Sequence, residues 1–265
     1  MMYGAMNFPI KPILDEIEEI AALGFDYLEL AMDPPNAHFS TIREDRDQIR
    51  NALDTHGMQL VCHLPTFVSI ADLTESIRDA SLSEMYNSLE VAAELNALKV
   101  VLHPGHIGGL GIFVMDMALT CGMDSLAAII AKADQLGLCV CLENMFPRFQ
   151  SFFEPPHFNE ILKQFPDLKL TIDTGHANIG NPDDQRILDF IRKFGHRIGH
   201  VHLSDNLGQR DDHFPLGKGT IDFEIFAQAL KQNGYNDTIT LEIFTEDRRQ
   251  LQSGKEEFAA LLTAA

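Results

Sequence analysis

The chain has little that would hold a polyanion. Its 265 residues carry 20 Lys and Arg against 39 Asp and Glu, a formal charge of −19 with His neutral, and a field of that sign repels phosphate backbones. DNA is therefore an unexpected partner, and the acidic excess reads first as ordinary solubility. No C-x-x-C pair occurs among the four cysteines, Cys62, Cys121, Cys139 and Cys141, so the usual spacing of a dithiol centre is missing. All four are expected to be reduced core thiols, with Cys139 and Cys141 on one face of a strand. No uninterrupted apolar stretch reaches membrane-spanning length, and the opening MMYGAMNFPIKP has no basic segment followed by a long apolar run. A soluble, cytoplasmic protein is the expectation. Low-complexity segments and linkers are absent too.

With 45% hydrophobic residues, a chain of this length can bury one large core, so residues 1–265 are expected to form a single domain. Short β-branched or apolar runs alternate with helical patterns. Strands are predicted at 3–7, 26–30, 59–63, 99–103, 139–143, 169–173, 198–203 and 238–242, each too short and too closely flanked by Gly, Pro or Asn to be a helix. Between them the apolar spacing becomes three and four, as in Leu82, Met85, Leu89, Ala92 and Leu95. Ile13, Ile17 and Ile20 precede Gly24 as a helix stop, and Asp222 is placed to cap a helix carrying Ile225, Phe226, Ala229 and Leu230. Matched strands and helices predict an α/β fold closed as a (β/α)₈ TIM barrel. An open doubly wound sheet would need a phosphate-binding glycine turn after its first strand, and MNFPIKP is not one. The stretch 104–121, rich in Gly and Met, is predicted to be a long loop. It is read as a lid, or as an apolar cover that meets the barrel end or a second copy in a homo-oligomer.

The chemistry-bearing residues fall at the strand ends. His63, His103, Glu143, Asp173, His202 and Glu242 each take the last or next-to-last position of a predicted strand, and in a barrel those ends converge. Several carboxylates facing one another in a half-buried mouth repel unless a cation neutralises them. The imidazoles favour zinc or manganese, with iron and cobalt also suited, over an oxygen-only magnesium site. His176, in Asp173-Thr-Gly-His176, and Asp211 and His213, in the loop after the seventh strand, lie close enough to fold over the mouth. Asp211 reads equally as a solvated loop acid. Glu29, near the end of the second strand, reads either as a substrate-binding acid or as half of an ordinary salt bridge.

On these residues the sequence resembles the xylose-isomerase-like barrel superfamily, which includes sugar isomerases and epimerases and the endonuclease IV group, also called family 2 AP endonucleases. The segment Ile198-Gly-His-Val-His202-Leu-Ser-Asp, the turn Leu216-Gly-Lys-Gly219, Ile221-Asp222-Phe223, Gly234-Tyr235 and Thr240-Leu-Glu242 look like the C-terminal part of ketose epimerases. That likeness implies one metal on Glu143, Asp173, His202 and Glu242, with Glu143 and Glu242 as catalytic proton carriers. His63, His103 and His176 would then contact substrate or be structural. The endonuclease IV likeness implies a larger set holding two or three ions on His63, His103, Glu143, Asp173, His176, His202, Asp211, His213 and Glu242. Both patterns have departures. Phe149 stands where the epimerases carry a second acid, Leu-Pro-Thr66 follows His63 where the endonucleases have Tyr and Asn, and Gly175 replaces their Cys or Ser. The function carried forward is a divalent-metal-dependent isomerase or epimerase of a small sugar or sugar phosphate. The alternative is a multinuclear zinc phosphodiesterase. A purely structural metal site is disfavoured, because such sites usually close at four ligands.

Overall fold

The computed structural model describes residues 1–181 and 184–264. Among them, eight parallel strands pair in sequence order: β1 (Met2–Met6), β2 (Tyr27–Ala31), β3 (Gln59–His63), β4 (Val100–Leu102), β5 (Val140–Glu143), β6 (Lys169–Asp173), β7 (Ile198–Leu203) and β8 (Thr238–Leu241). β8 closes on β1, so the sheet is the expected (β/α)₈ barrel. The helices outside it follow the sequence pattern. Ile13–Ala22 buries Ile13, Ile17 and Ile20 and stops before Gly24, whose φ of 75° only glycine adopts without strain. Glu75–Glu94 turns Met85, Leu89 and Ala92 onto the strands. Phe223–Gln232 is capped by Asp222, whose carboxylate accepts from the Ile225 amide at 3.0 Å. No described helix is long and apolar enough to cross a membrane.

Alternation sorts the strand residues into two populations. Side chains such as Leu28, Leu30, Leu60, Cys62, Val100, Leu142, Leu170, Ile172, Val201 and Ile239 face outward into the main apolar core beneath the helices. The inward set is stacked in layers. Tyr27, Val61 and Val101 form a separate buried cluster inside the barrel, and below them the Lys99 ammonium donates to Gly199 O at 2.5 Å and to Asp237 at 2.7 Å. Gly4 makes room for this packing, since a Cβ there would lie 2.1 Å from the Tyr27 ring. Above the apolar layer most inward residues are polar, with Met6 and Ala31 as buried exceptions, and that change of chemistry marks the C-terminal mouth.

Two expectations are corrected. The stretch 104–121 is not one loop: a 3₁₀ turn at Gly109–Phe113 leads into the helix Met115–Gln135. Met115, Met117, Ala118 and Leu119 are good helix formers, and Gly122 sits inside the helix where its missing side chain lets Ala71 approach. The shortened loop leaves Leu110 and Phe113 exposed at the surface. Nor are all four cysteines core thiols. Cys62 and Cys141 are buried, but Cys121 is half-buried and Cys139 is exposed, because β5 starts one residue after Cys139 at the open base of the barrel.

Candidate metal centre

All nine expected ligand-type residues meet in the mouth, and Glu143 is their hub. Its Oε2 lies 3.3 Å from His63 Nε2 and 3.2 Å from His103 Nε2; its Oε1 lies 3.1 Å from His176 Nδ1 and 3.5 Å from His202 Nδ1. His202 Nδ1 is 3.6 Å from Asp173 Oδ2 and 3.0 Å from Glu242 Oε2. On the rim, Asp211 Oδ2 stands 3.1 Å from His176 Nε2 and 3.2 Å from His213 Nε2. The donors fall into three adjoining groups: His63 and His103 on one oxygen of Glu143; Glu143, Asp173, His202 and Glu242; and His176, Asp211 and His213.

Short-range contacts aim these side chains. Asp173 caps the helix Thr174–Asn178: its Oδ1 accepts from the His176 amide at 2.5 Å, which leaves Oδ2 turned to the mouth. Asn144, which follows Glu143, accepts from the Asp173 amide and donates to the Asp173 carbonyl, tying the ends of β5 and β6 together. The histidines share one pattern. Nδ1 of His63, His176 and His213 donates to the backbone oxygens of Leu64, Asn144 and Glu242, at 3.0, 2.9 and 3.2 Å. Each ring therefore presents Nε2 to a carboxylate in the mouth, the arrangement by which metal-binding imidazoles are usually oriented. His202 is turned the other way, presenting Nδ1.

Loop 206–219 brings Asp211 and His213. Asp205 pins it at both ends: its carboxylate accepts from the Asn206 amide at one end and the Gly219 amide at the other, and its backbone pairs with Phe214. His213 takes a positive φ of 48°, strained for a side-chain-bearing residue. Gly175 is packed closely as well: a Cβ would lie 2.7 Å from Ser204 Oγ, so the Cys or Ser of the endonuclease pattern would require the Ser204 hydroxyl to shift. Phe149 sits edge-on to His103 and His106, with centroids 6.2 and 5.2 Å away, and makes the rim apolar where an acid was expected by analogy.

Four atoms test whether this chemistry suits a cation. Glu143 Oε1, Asp173 Oδ2, His202 Nδ1 and Glu242 Oε2 are all buried, none has a hydrogen-bond partner, and they lie within 4.8 Å of one another. Orphaned buried acceptors each cost about 1–3 kcal/mol or more, so four that converge fit a site for a divalent ion. Without one, the histidines must supply the balancing charge. Burial favours the neutral ring, yet Glu143 outweighs it and pushes His63 up to about 9. Burial is likewise overridden at His213, raised to about 9 by Glu242 and Asp211. His176 and His202 also rise well above the usual range against burial. The same pairing, against burial, holds Glu143 well below the carboxylate range and lowers Glu242 and Asp211. Asp173 goes the other way because burial dominates.

Glu29 does not reach this mouth. It is fully buried inside the barrel, accepting from His200 Nε2 and His202 Nε2, each at 2.9 Å, and from the Thr240 hydroxyl. Of its two readings, substrate-binding acid or half of a salt bridge, this placement fits the buried pairing with His200 and His202. His200 faces the interior as strand parity predicts. Asn144 and Asp205 were not singled out by sequence reasoning; an amide directly after the strand-end Glu143, and an acid opening the loop two residues past β7, are the signals that would have found them.

A parallel eight-stranded barrel with nine His, Asp and Glu side chains gathered at its C-terminal mouth defines the class of (β/α)₈ barrels with a candidate metal centre. The chain belongs to the xylose isomerase-like TIM barrel family, whose model matches residues 17–263. Its relatives include the uncharacterized protein MJ1311 of Methanocaldococcus jannaschii, 29% identical over 91% of this chain and 83% of that protein. Fructoselysine 3-epimerase of Escherichia coli O157:H7 is 22% identical over 95% of this chain and 94% of that protein. A probable endonuclease 4 of Mycobacterium leprae is 24% identical over 80% and 82%. Among solved structures, a D-tagatose 3-epimerase-like protein superimposes with a TM-score of 0.87 at 26% identity, covering 100% of this chain and 99% of that one.

Proposed function

We propose that the protein is a divalent-metal-dependent isomerase or epimerase of a small sugar or sugar phosphate, using zinc or manganese. The observation that carries the reading is the convergence of the unpartnered buried atoms of Glu143, Asp173, His202 and Glu242. These four residues would hold the ion, which supplies Lewis acidity to polarise a carbonyl and acidify the neighbouring C–H. Glu143 and Glu242 lie on or just after β5 and β8, three strands apart around the ring. Such a pair can address a substrate carbon from two directions. One carboxylate takes the proton from the carbon beside the carbonyl and the other, entering protonated, returns one. A turnover thus leaves the two carboxyls with exchanged protonation, and contact with water resets them. Phe146 and Phe149, with ring centroids 5.2 Å apart, give the rim an apolar wall that limits water.

A second reading, phosphodiester hydrolysis at a multinuclear site, is favoured by one observation: His63, His103, His176, Asp211 and His213 add donors that a one-metal epimerase does not need. Support for the first reading comes from the epimerase-like structure that spans the whole chain and from the −19 charge, which disfavours long nucleic acids. The test is a panel of ketoses and ketose phosphates incubated with the Zn²⁺- or Mn²⁺-loaded protein in D₂O. An epimer or aldose product with deuterium at the reacting carbon is expected. Product formed at full rate without solvent deuterium would exclude proton transfer through exchanging carboxylates.

A further inference from the structure

Beneath the mouth lies a buried polar layer that the proposed reaction does not use. Glu29, His200, Thr238 and Thr240 are each 0% exposed. The shortest contacts define one consistent set of hydrogen bonds, alongside longer contacts from Thr238 Oγ1 to Gly199 O and from Thr240 Oγ1 to His200 Nε2. Glu29 Oε1 accepts from His202 Nε2 at 2.9 Å; Oε2 accepts from His200 Nε2 at 2.9 Å and from the Thr240 hydroxyl. Because Thr240 gives its proton to Glu29, the Tyr27 hydroxyl must donate to Thr240 Oγ1, 2.8 Å away. Because His200 donates through Nε2, its Nδ1 is free to accept from Thr238 Oγ1 at 2.6 Å. Both carboxylate oxygens are satisfied.

We infer that Glu29 is a positioning residue for the metal centre: it holds the His202 ring so that Nδ1 faces Asp173 and Glu242, and it adds a fixed negative charge behind that ring, without touching metal or substrate. The inference rests on the reading of His202 as a metal ligand. Three observations carry it. His202 is the one histidine of the cluster whose outer nitrogen is held by a carboxylate, where His63, His176 and His213 use backbone carbonyls. Its other nitrogen is among the unpartnered atoms of the candidate pocket. Finally, Glu29 pairs in register with Val61, whereas Ala31 pairs with His63, so Glu29 stands a layer below the mouth, with His200 and Thr240 closing the remaining approaches. A carboxylate behind a ligating imidazole fixes its tautomer and raises its basicity, and losing such a partner typically costs 10- to 100-fold in metal affinity.

Glu29, His200 and His202 also lie close enough to hold an ion themselves. The complete set of hydrogen bonds among them argues instead for a hydrogen-bonded, metal-free layer.

The test compares wild type with Glu29→Gln and Glu29→Ala. Gln keeps the volume and one oxygen for His202 but removes the charge; Ala removes both. The Zn²⁺ dissociation constant of the tightest site is measured by competition with a chromophoric chelator, alongside melting of the metal-free proteins and X-ray absorption at the zinc edge. The expected result is Zn²⁺ binding weaker by about 10-fold or more in Gln and by at least as much in Ala, in variants that still melt cooperatively. Affinity within twofold of wild type in folded Glu29→Gln would overturn the inference, as would zinc bound between Glu29 and His200. Failure of both variants to fold would make the role structural and overturn it too. Absence of Zn²⁺ binding by the wild type would instead overturn the metal centre itself.

Discussion

Nε2 of His176, on the short helix after β6, lies 3.1 Å from Oδ2 of Asp211, on the loop after β7. With His213 on the same oxygen, this contact gathers donors that a one-metal site would leave idle. Protein never exposed to chelator is expected to carry two or three divalent ions per chain by elemental analysis. The double substitution Asp211→Ala and His213→Ala should remove at least one and leave the ion at Glu143 and Glu242. A stoichiometry of one, unchanged in the double variant, would make the rim donors bystanders.

Glu143 faces four histidines from its two oxygens, whereas Glu242 faces His202 and His213. Glu143→Gln should therefore weaken two metal groups and Glu242→Gln one. Each should cut turnover by about 10²–10⁴ with the barrel still folded. Equal metal content in the two variants would contradict the hub arrangement.

The metal-free protein should lose stability in alkali. A histidine raised from 6.5 to about 9, as at His63 and His213, contributes stability fully present below 6.5 and lost as pH climbs through 9. Tm of chelator-treated protein is expected to fall by about 5 °C or more between pH 6.5 and 9.5, and Zn²⁺-loaded protein should fall less, because the ion takes over the protons' role. A flat profile for the metal-free form would show that these rings are neutral.

Abasic duplex DNA is expected to bind weakly and to be cut poorly at physiological salt, given the −19 charge. Efficient metal-dependent incision by low concentrations of the protein would put the phosphodiesterase reading first.

At the opposite end of the barrel, the Cys139 thiol is pushed down to about 7 by a hydrogen bond from Cys141, against burial and with help from Lys99 and Lys169. Iodoacetamide labelling mapped by mass spectrometry should find Cys139 the fastest-reacting cysteine, with a rate that is half-maximal near pH 7. Buried Cys62, whose thiol is pushed up by burial, should stay unlabelled. Preferential labelling of Cys121 would contradict this.

The barrel was legible because strand parity is local: an inward His, Asp or Glu at the end of a β-run can be read from alternation alone. That reasoning found His63, Glu143, Asp173, His202 and Glu242. It misjudged the depth of Glu29 for a physical reason. How far each strand is shifted along its neighbour is a property of the closed barrel, and β2 runs on to Ala31. A residue that looks terminal in sequence thus lies a layer too deep. The exposure of Cys139 was hidden for the same reason at the other end. The helical start at Met115 was obscured by glycines just before it.

The mouth is assembled from parts of unequal permanence. Glu143, Asp173 and His202 belong to strands whose inward faces also fill the barrel, and Glu242 directly follows β8, so their positions are set by the barrel itself. Asp211 and His213 sit on a loop anchored at both ends by Asp205, within which Phe214 pairs with Asp205 and Leu216 packs into the core beside Gly254 of the last helix. Descent could recode the part of that loop before Phe214 while inheriting the strand-borne half intact. Were the rim donors to hold an ion of their own, a lineage built on this frame could add or shed it by editing the few residues around 207–213, leaving Phe214 and Leu216 in place.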